Sequence, residues 1–469
     1  MRKTKIICTL GPSTDSYDTL CQMVKAGMDV VRFNMAHGDY KAAQERMDLV
    51  KKVREDLQVP LAIMVDIKGP EVRTGQVDVP FKVEKGDTII ITGEQIPAHD
   101  NIVSVNYADI AKDVFVGGHI LLNDGLLNLV IKDVKDGLIY CEALTHGVIG
   151  NHKNVHFPGV HINLPFIREK DIKDMNFAIK NDVEYIACSF VSRGSEVKEV
   201  REYLDANGAN DISLIAKIEN KEGIDNLDDI MNYVAGVMVA RGDLGVEIEI
   251  EKIPTIQKQM IRKVHLAGKR VITATEMLET MTHNPRPTRA EVSDVANAVY
   301  DGTSCVMLSG ETAVGDYPVE VVRTMAKICE DTESHIDYDR NFKAIDFEIK
   351  NVADALSHSS VNASIDLKAK AIVVCTKTGQ TAVMVSRFRP TMPIVAFVTG
   401  EKAYHRLAMS WAVYPFLMDE YYSTEELSIR AIDRAKELPY VNKGDIIIVV
   451  AGIARQVHAS NLMRIEKVR

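Results

Sequence analysis

The chain reads as an α/β protein: a (β/α)8 TIM barrel, interrupted by an inserted all-β lid and followed by a C-terminal doubly wound α/β domain. Three observations predict this. Eight apolar runs of strand length alternate with helical stretches, and outside one gap they recur at intervals of about 25 to 35 residues, the length of a strand-helix unit. The gap has the texture of short alternating strands and tight turns. Beyond the eighth run a second alternating series begins.

The barrel strands are expected at Lys5 to Leu10, Val30 to Asn34, Leu61 to Asp66, Tyr185 to Phe190, Ser213 to Lys217, Gly236 to Val239, Val271 to Thr273 and Cys305 to Leu308. A Rossmann-type open sheet is the alternative, but it does not call for eight. Within the gap, Thr88 to Thr92, Asn101 to Val105, His119 to Leu122, Leu127 to Val134 and Leu138 to Ala143 read as strands. Lys85-Gly86-Asp87, Asn123-Asp124-Gly125 and Lys135-Asp136-Gly137 separate them as turns. An insertion in a βα loop sits over the catalytic face, so a small β-barrel acting as a mobile lid is expected. After a polar connector, Glu333 to Lys350, strands are expected at Ala371 to Thr376, Ile394 to Val398, Trp411 to Pro415 and Asp445 to Val450. Helices should cover Val352 to Leu367, Thr381 to Phe388 and Thr424 to Glu437. The predicted division is 1–69 with 168–340 for the barrel, 70–167 for the lid and 345–469 for a regulatory domain.

At 469 residues, 46% hydrophobic and 26% charged, the chain has material for a large core. Its net charge of -10 argues against nucleic acid as a partner, because phosphate backbones need a concentrated basic surface. The seven cysteines are scattered and never spaced as CxxC, which points to a reducing, cytoplasmic setting without disulfides or thiolate metal sites. Met1 to Lys5 leads straight into a strand, and no apolar stretch reaches membrane-spanning length, so no targeting segment and no membrane contact are expected.

Chemistry concentrates at the strand ends. Ser213 to Glu219 and Val237 to Asp243 are apolar runs that end in charge, and in a parallel barrel both ends face one site. Lys217 and Glu219, two apart, project from one face of a strand. An ammonium beside the carboxylates of Glu219 and Asp243 suits a phosphorylated substrate held by Mg2+ or Mn2+; a plain salt bridge is the alternative. Arg32 and Arg73 can each clasp a carboxylate or phosphate, with an inward ion pair to Asp66 as the other reading of Arg32. Asn34 and Asp66 offer hard oxygens to a cation. Gly242, in Arg241-Gly242-Asp243-Leu244-Gly245, permits close backbone approach to an anion, or makes an ordinary tight turn. Thr275 supplies a hydroxyl for a proton or carboxylate, or is there for its β propensity. His37 either touches a nucleotide or is structural.

These motifs together resemble the pyruvate kinase family. The likeness runs from Lys3 to about Gly452 through Lys5 to Pro12, Arg32-Phe33-Asn34, Asp66 to Gly75, Ala216 to Asn220, Met238 to Gly245 and Asn284 to Glu291. The resemblance implies transfer of a phosphoryl group from phosphoenolpyruvate to ADP, giving pyruvate and ATP, in a homotetramer. It implies Glu219 and Asp243 as ligands of Mg2+ or Mn2+, and Arg32, Lys217, Gly242, Asp243 and Thr275 as the hold on phosphoenolpyruvate, with Lys217 stabilising the transition state. Arg73, Lys153 and the Asn34 to His37 turn would face ADP or ATP. Asn34, Asp66 and the Ile67 carbonyl would bind K+, and Glu71 stands where K+-independent members carry lysine.

Three departures stand out. Ala36 replaces the serine that gives K+ a hydroxyl, which implies a cation held more weakly or through water; Glu276 replaces a glutamine after Thr275. Thr376 to Thr381 resembles the family's effector phosphate loop, but Gly452 to Asn461 lacks its glycine-rich partner. Two other classes compete: a catalytically weakened phosphoenolpyruvate or nucleotide sensor, suggested by Ala36 and the altered loop, and a metal-dependent barrel aldolase using Lys217, Glu219 and Asp243, with Lys217 as a Schiff-base amine.

Overall fold

Strands buried on both faces belong in a parallel sheet covered by helices, and the first eight apolar runs behave that way. The computed structural model describes residues 1–35, 39–123, 125–419, 424–452 and 460–469. Its central element is a closed barrel of β1 (Lys5–Thr9), β2 (Val30–Asn34), β3 (Ala62–Ile67), β4 (Tyr185–Cys188), β5 (Ser213–Ile218), β6 (Gly236–Ala240), β7 (Arg270–Ala274) and β8 (Cys305–Leu308). Neighbours in sequence pair in parallel, and β8 closes on β1. No strand end departs from its expected position by more than two residues.

Alternation along each strand sorts the side chains. Ile7, Val30, Met64, Ile215, Met238 and Ile272 fill the barrel interior, while Ile6, Val31, Ile63 and Val237 pack outward under the helices. Each such side chain contributes about 1.5–3 kcal/mol when fully buried, enough to dominate strand placement. The bottom of the barrel is closed by Ala408 and Met409 from the C-terminal part of the chain. There the Tyr185 hydroxyl donates to the Arg406 carbonyl at 2.7 Å and Lys5 Nζ to the Val413 carbonyl at 2.9 Å.

The inserted segment has its own core, with Ile91, Val103, Ile120, Leu129 and Ile139 at its centre. Six strands join in one sheet, and Phe81–Val83 pairs with Gly147–Ile149 as a separate ribbon. Among the described residues the ladder is therefore open, where a closed small barrel was expected. A single helical turn, Ile110–Asp113, also interrupts the all-β pattern. Arg168 staples the two crossings between insertion and barrel, donating to the Gly69 carbonyl and, at 3.3 Å, to the Glu71 carbonyl.

The C-terminal sheet runs in the order Val413–Leu417, Ile394–Val398, Ala371–Cys375, Ile446–Gly452, Ser460–Lys467. Four strands are parallel; the last is antiparallel and was not anticipated. Helices Val352–Asp366 and Gln380–Ser386 cover one face and Thr424–Lys436 the other. The strand expected from Trp411 starts at Val413 because Ala412 takes a left-handed backbone, φ 54°, that breaks the extended run. The connector also holds a helix, Tyr338–Lys343, whose Tyr338 and Phe342 are buried.

Arg387 ties the connector to this domain. Its guanidinium lies 4.5 Å from the Phe347 ring centre and 4.9 Å from that of Phe388, and it donates to Asp354. Burial pushes the Asp354 carboxyl up, but the Arg387 hydrogen bond and charge outweigh it and hold the group below the usual range. A carboxyl whose folded pKa is depressed contributes stability above its unfolded value, about 4, and loses it as pH falls through the folded one. We expect Asp354→Asn to cost about 3–5 kcal/mol near neutrality, since it leaves a buried guanidinium unpaired. Urea midpoints of the variant and the parent should converge in acid, and a gap independent of pH would show that the charge pair is not responsible.

Candidate active site at the barrel mouth

The inward-facing columns of the barrel carry apolar residues until their last position, where they turn polar. Val30 is followed by Arg32, Met64 by Asp66, Ala187 by Ser189, and Ile215 by Lys217 and then Glu219. With a period of two, all of these converge on the carboxyl-terminal mouth.

Lys217 is the centre of the cluster. Its Nζ donates to Ser189 Oγ at 2.8 Å and lies 2.9 Å from Glu219 Oε1 and 3.5 Å from Asp66 Oδ1. Burial alone lowers the basicity of an amine, yet Asp66 and Glu219 more than reverse it, so the ammonium stays charged, above its ordinary range. Asp66 also receives Arg32, through Nε at 2.7 Å and a terminal nitrogen at 2.6 Å. Burial works against the Asp66 carboxylate; Lys217 and Arg32 win and hold it below the usual carboxylate range. Arg32 thus makes the inward ion pair, and its other terminal nitrogen donates to Thr9 Oγ1 at 3.0 Å.

Glu219 is fully buried. Burial pushes it up to about 7, opposed by Lys217 and reinforced by the nearby Asp243 carboxylate. Its Oε2 accepts the Phe190 N–H at 2.6 Å, and its Oε1 lies 2.9 Å from the Lys217 ammonium. Asp243 sits in the short helix Arg241–Glu247, which begins where a glycine turn was expected. The Gly242 N–H donates to Thr275 Oγ1 at 2.8 Å, and that hydroxyl donates to the Ala274 carbonyl at 2.6 Å.

Asn34 is exposed and stands opposite Asp66 in the β2–β3 ladder; the Ile67 carbonyl accepts Ser189 Oγ at 2.9 Å. The segments that carry Arg73 and Lys153 pair at the root of the insertion, where the Thr74 N–H donates to the Lys153 carbonyl at 2.8 Å and Arg73 bridges to Asn154. Arg73 is held by Glu71 at 2.7 Å and donates to the His152 carbonyl at 2.9 Å, and Glu71 also pairs with Lys68 at 3.0 Å. Glu276 is exposed. His37 and Ala36 lie outside the described residues, as does 453–459 of the C-terminal loop.

Sequence reasoning missed three residues here. Ser189 joins Lys217, Asp66 and the Ile67 carbonyl, and its place in the inward column of β4 was a usable signal. Phe190 turns left-handed, φ 56°, to aim its N–H at Glu219, a conformation that costs about 1–2 kcal/mol and that no local motif announces. Arg241 supports two consecutive left-handed residues, Thr275 (φ 67°) and Glu276 (φ 52°), by donating to their carbonyls at 2.6 and 3.2 Å, while gripping Asp294 at 2.6 and 2.7 Å.

A parallel barrel whose mouth gathers buried cations and carboxylates is the framework of a barrel enzyme acting on an anionic substrate. The family model described as "Pyruvate kinase, barrel domain" matches residues 1–322, and "Pyruvate kinase, alpha/beta domain" matches residues 354–466. A pyruvate kinase of Clostridium acetobutylicum is 44% identical over 473 aligned residues, spanning 100% of both chains. One from Sporosarcina psychrophila is 42% identical, across 99% of this chain and 80% of its own. The crystal structure of a pyruvate kinase from Cryptosporidium parvum superposes with a TM-score of 0.95 at 37% identity, over 100% of this chain and 96% of that one. The chain belongs to the pyruvate kinase family.

For Arg241→Gln we expect a loss of about 2–3 kcal/mol, because Asp294 and the two left-handed carbonyls lose a charged donor. Asp294→Ala should cost less, since Asp294 is 36% exposed and the Arg241 carbonyl contacts persist. Calorimetric unfolding of both variants checks this, and equal losses would mean that the carbonyl contacts are not what matters.

Proposed function

We propose that the chain transfers the phosphoryl group of phosphoenolpyruvate to ADP, giving pyruvate and ATP. The observation that carries this reading is Lys217, a buried ammonium kept charged by Asp66 and Glu219 and oriented by Ser189. Phosphoryl transfer needs little covalent help from protein; it gains from fixed positive charge facing the phosphoryl oxygens in a site already arranged. In this reading Lys217 and Arg32 meet those oxygens, and Asp66 holds both cations in place. The Gly242–Asp243 backbone and Thr275 take the substrate carboxylate. Thr275, whose hydroxyl already orders Gly242, is also where water would deliver the proton to C3 of the enolate left by transfer.

Glu219 and Asp243 fit a divalent ion, Mg2+ or Mn2+. The donors are hard oxygens, and Glu219 is a fully buried carboxylate with Asp243 nearby. Among the described residues no group of three or more His, Cys, Asp or Glu is arranged to hold a metal ion by itself, so water and substrate oxygens would complete the shell. When bound, the ion supplies positive charge against the developing negative charge of the transfer. Asn34, Asp66 and the Ile67 carbonyl are assigned to K+, and Asn34, His37, Arg73 and Lys153 to the nucleotide. The division at 1–69 with 168–340, 70–167 and 345–469 belongs to the same reading, with 70–167 closing over the mouth. So does a cytoplasmic homotetramer; no helix among the described residues is long and apolar enough to cross a membrane. Ile465, half exposed on the edge strand Ser460–Lys467, suits a covered subunit contact. An aldolase reading is disfavoured by the same lysine, because Schiff-base chemistry needs a neutral amine and Lys217 is held charged.

The test is ATP formation from phosphoenolpyruvate and Mg-ADP, titrated with K+ at constant ionic strength. K+-dependent turnover is expected; turnover indifferent to K+ would remove the monovalent site, and none at all would remove the kinase reading. Lys217→Ala should nearly abolish turnover while Mn2+ binding, read by electron paramagnetic resonance, survives. Ser189→Ala, which frees the ammonium from its orienting hydroxyl, should lower kcat about 10- to 100-fold with folding intact. Parent-like kcat in that variant would reduce Ser189 to packing.

A further inference from the structure

Between the barrel and the C-terminal domain lies a cavity of about 460 Å³ that takes no part in the reaction above. Its floor is aromatic and apolar, with Tyr338, Phe342 and Phe388 buried beneath it. Its wall is basic. Arg262 and His265 come from the helix Ile253–Leu266, and Arg389 from the loop after the helix Gln380–Ser386.

Arg389 is 8% exposed, yet every hydrogen bond it makes goes to a neutral oxygen: the Ser386 carbonyl at 3.3 Å, the Gly302 carbonyl at 2.8 Å and Ser304 Oγ at 3.0 Å. Its Nε has no partner. Burial draws the guanidinium down to about 10, and only Tyr338 and Cys305 resist, so among the described residues no carboxylate compensates it. His265 Nδ1 is also buried without a partner, and burial followed by the charges of Arg389 and Arg262 pushes the imidazole well below its ordinary range. Arg262 is exposed and forms no ion pair with a described residue. Asp301, the one acid on the described wall, is taken by Lys258.

Buried positive charge is normally matched by an acid, and a site with an apolar floor and a few convergent polar groups is the usual build of a small-molecule pocket. We propose that this cavity binds a small organic oxyanion, a phosphate or carboxylate carried on a flat apolar body. Its oxygens face Arg262, His265 and Arg389, and its body lies on Tyr338 and Phe342, which Phe388 backs from beneath. Because the wall joins a barrel helix to a loop of the C-terminal domain, occupancy fastens the two together.

The sole tryptophan, Trp411, is 2% exposed and its ring centre lies 4.7 Å from the Arg389 guanidinium, which makes it a local reporter. Phenyl phosphate titrated into the full chain at constant ionic strength should change Trp411 emission saturably, with chloride giving no change. Arg262→Gln, an exposed substitution, should weaken the midpoint about 10-fold or more while leaving basal turnover as in the parent. The proposal is overturned if emission does not respond, if chloride reproduces the response, or if the midpoint is the same in Arg262→Gln. A chain without kinase activity that still showed the Arg262-dependent response would fail the functional reading and keep this one.

Discussion

The site depends on one constraint: an ammonium taken out of water at the top of an apolar barrel must be surrounded by acids. Lys217 sits above Ile215 and Met238, in surroundings where charge interacts far more strongly than in water. Asp66 and Glu219 keep it charged, Asp66 is shared with Arg32, and Ser189 fills the remaining approach. Removing any one member leaves the others unpaired in low dielectric, which costs more than the contact itself contributes. The barrel meets that demand only because β2, β3, β4 and β5 are neighbours with their inward columns in step. The C-terminal domain takes part from the other end, since Ala408 and Met409 close the barrel floor.

Much of this was legible because burial on both faces leaves few choices of residue. A strand such as Ile63-Met64-Val65 has no polar residue to mislead, and the alternation that carries Lys217 and Glu219 to one face is a property of extended backbone. The failures share a cause as well. Phe81–Val83 and Gly147–Ile149 are three-residue strands made by a partner far along the chain. Ser460–Lys467 alternates weakly because it is a half-exposed edge held by one neighbour. The helix Tyr338–Lys343 is too short to show a period and is fixed by burying two aromatic rings. In each case tertiary contact outweighs a weak local preference.

What the sequence did not announce at the mouth is backbone direction. Phe190, Thr275 and Glu276 all take left-handed backbones that favour glycine, and all lie where a barrel strand gives way to a loop at the mouth. Strain of this kind persists only when surrounding contacts over-determine it. Here the supports are visible: Glu219 accepts the Phe190 N–H, and Arg241 holds the carbonyls of Thr275 and Glu276. The polar payload of a strand end can be read from alternation, but the direction in which its backbone amide points cannot, because that is set by a partner from another strand.

The buried cations at the mouth and at the seam show how an acidic chain handles local positive charge. At the mouth every cation has a carboxylate within 3.5 Å, and the result is a preformed, nearly neutral network. At the seam below, Arg389 is as buried as Arg32 but rests on carbonyls, a hydroxyl and an indole ring. Neutral oxygens satisfy the donors of a guanidinium without cancelling its charge. The uncancelled charge faces a cavity floored by aromatic rings, so there the described acids leave a demand unmet. A site completed by the protein and a site completed by a ligand are thus told apart by the same test, the whereabouts of the counter-charge.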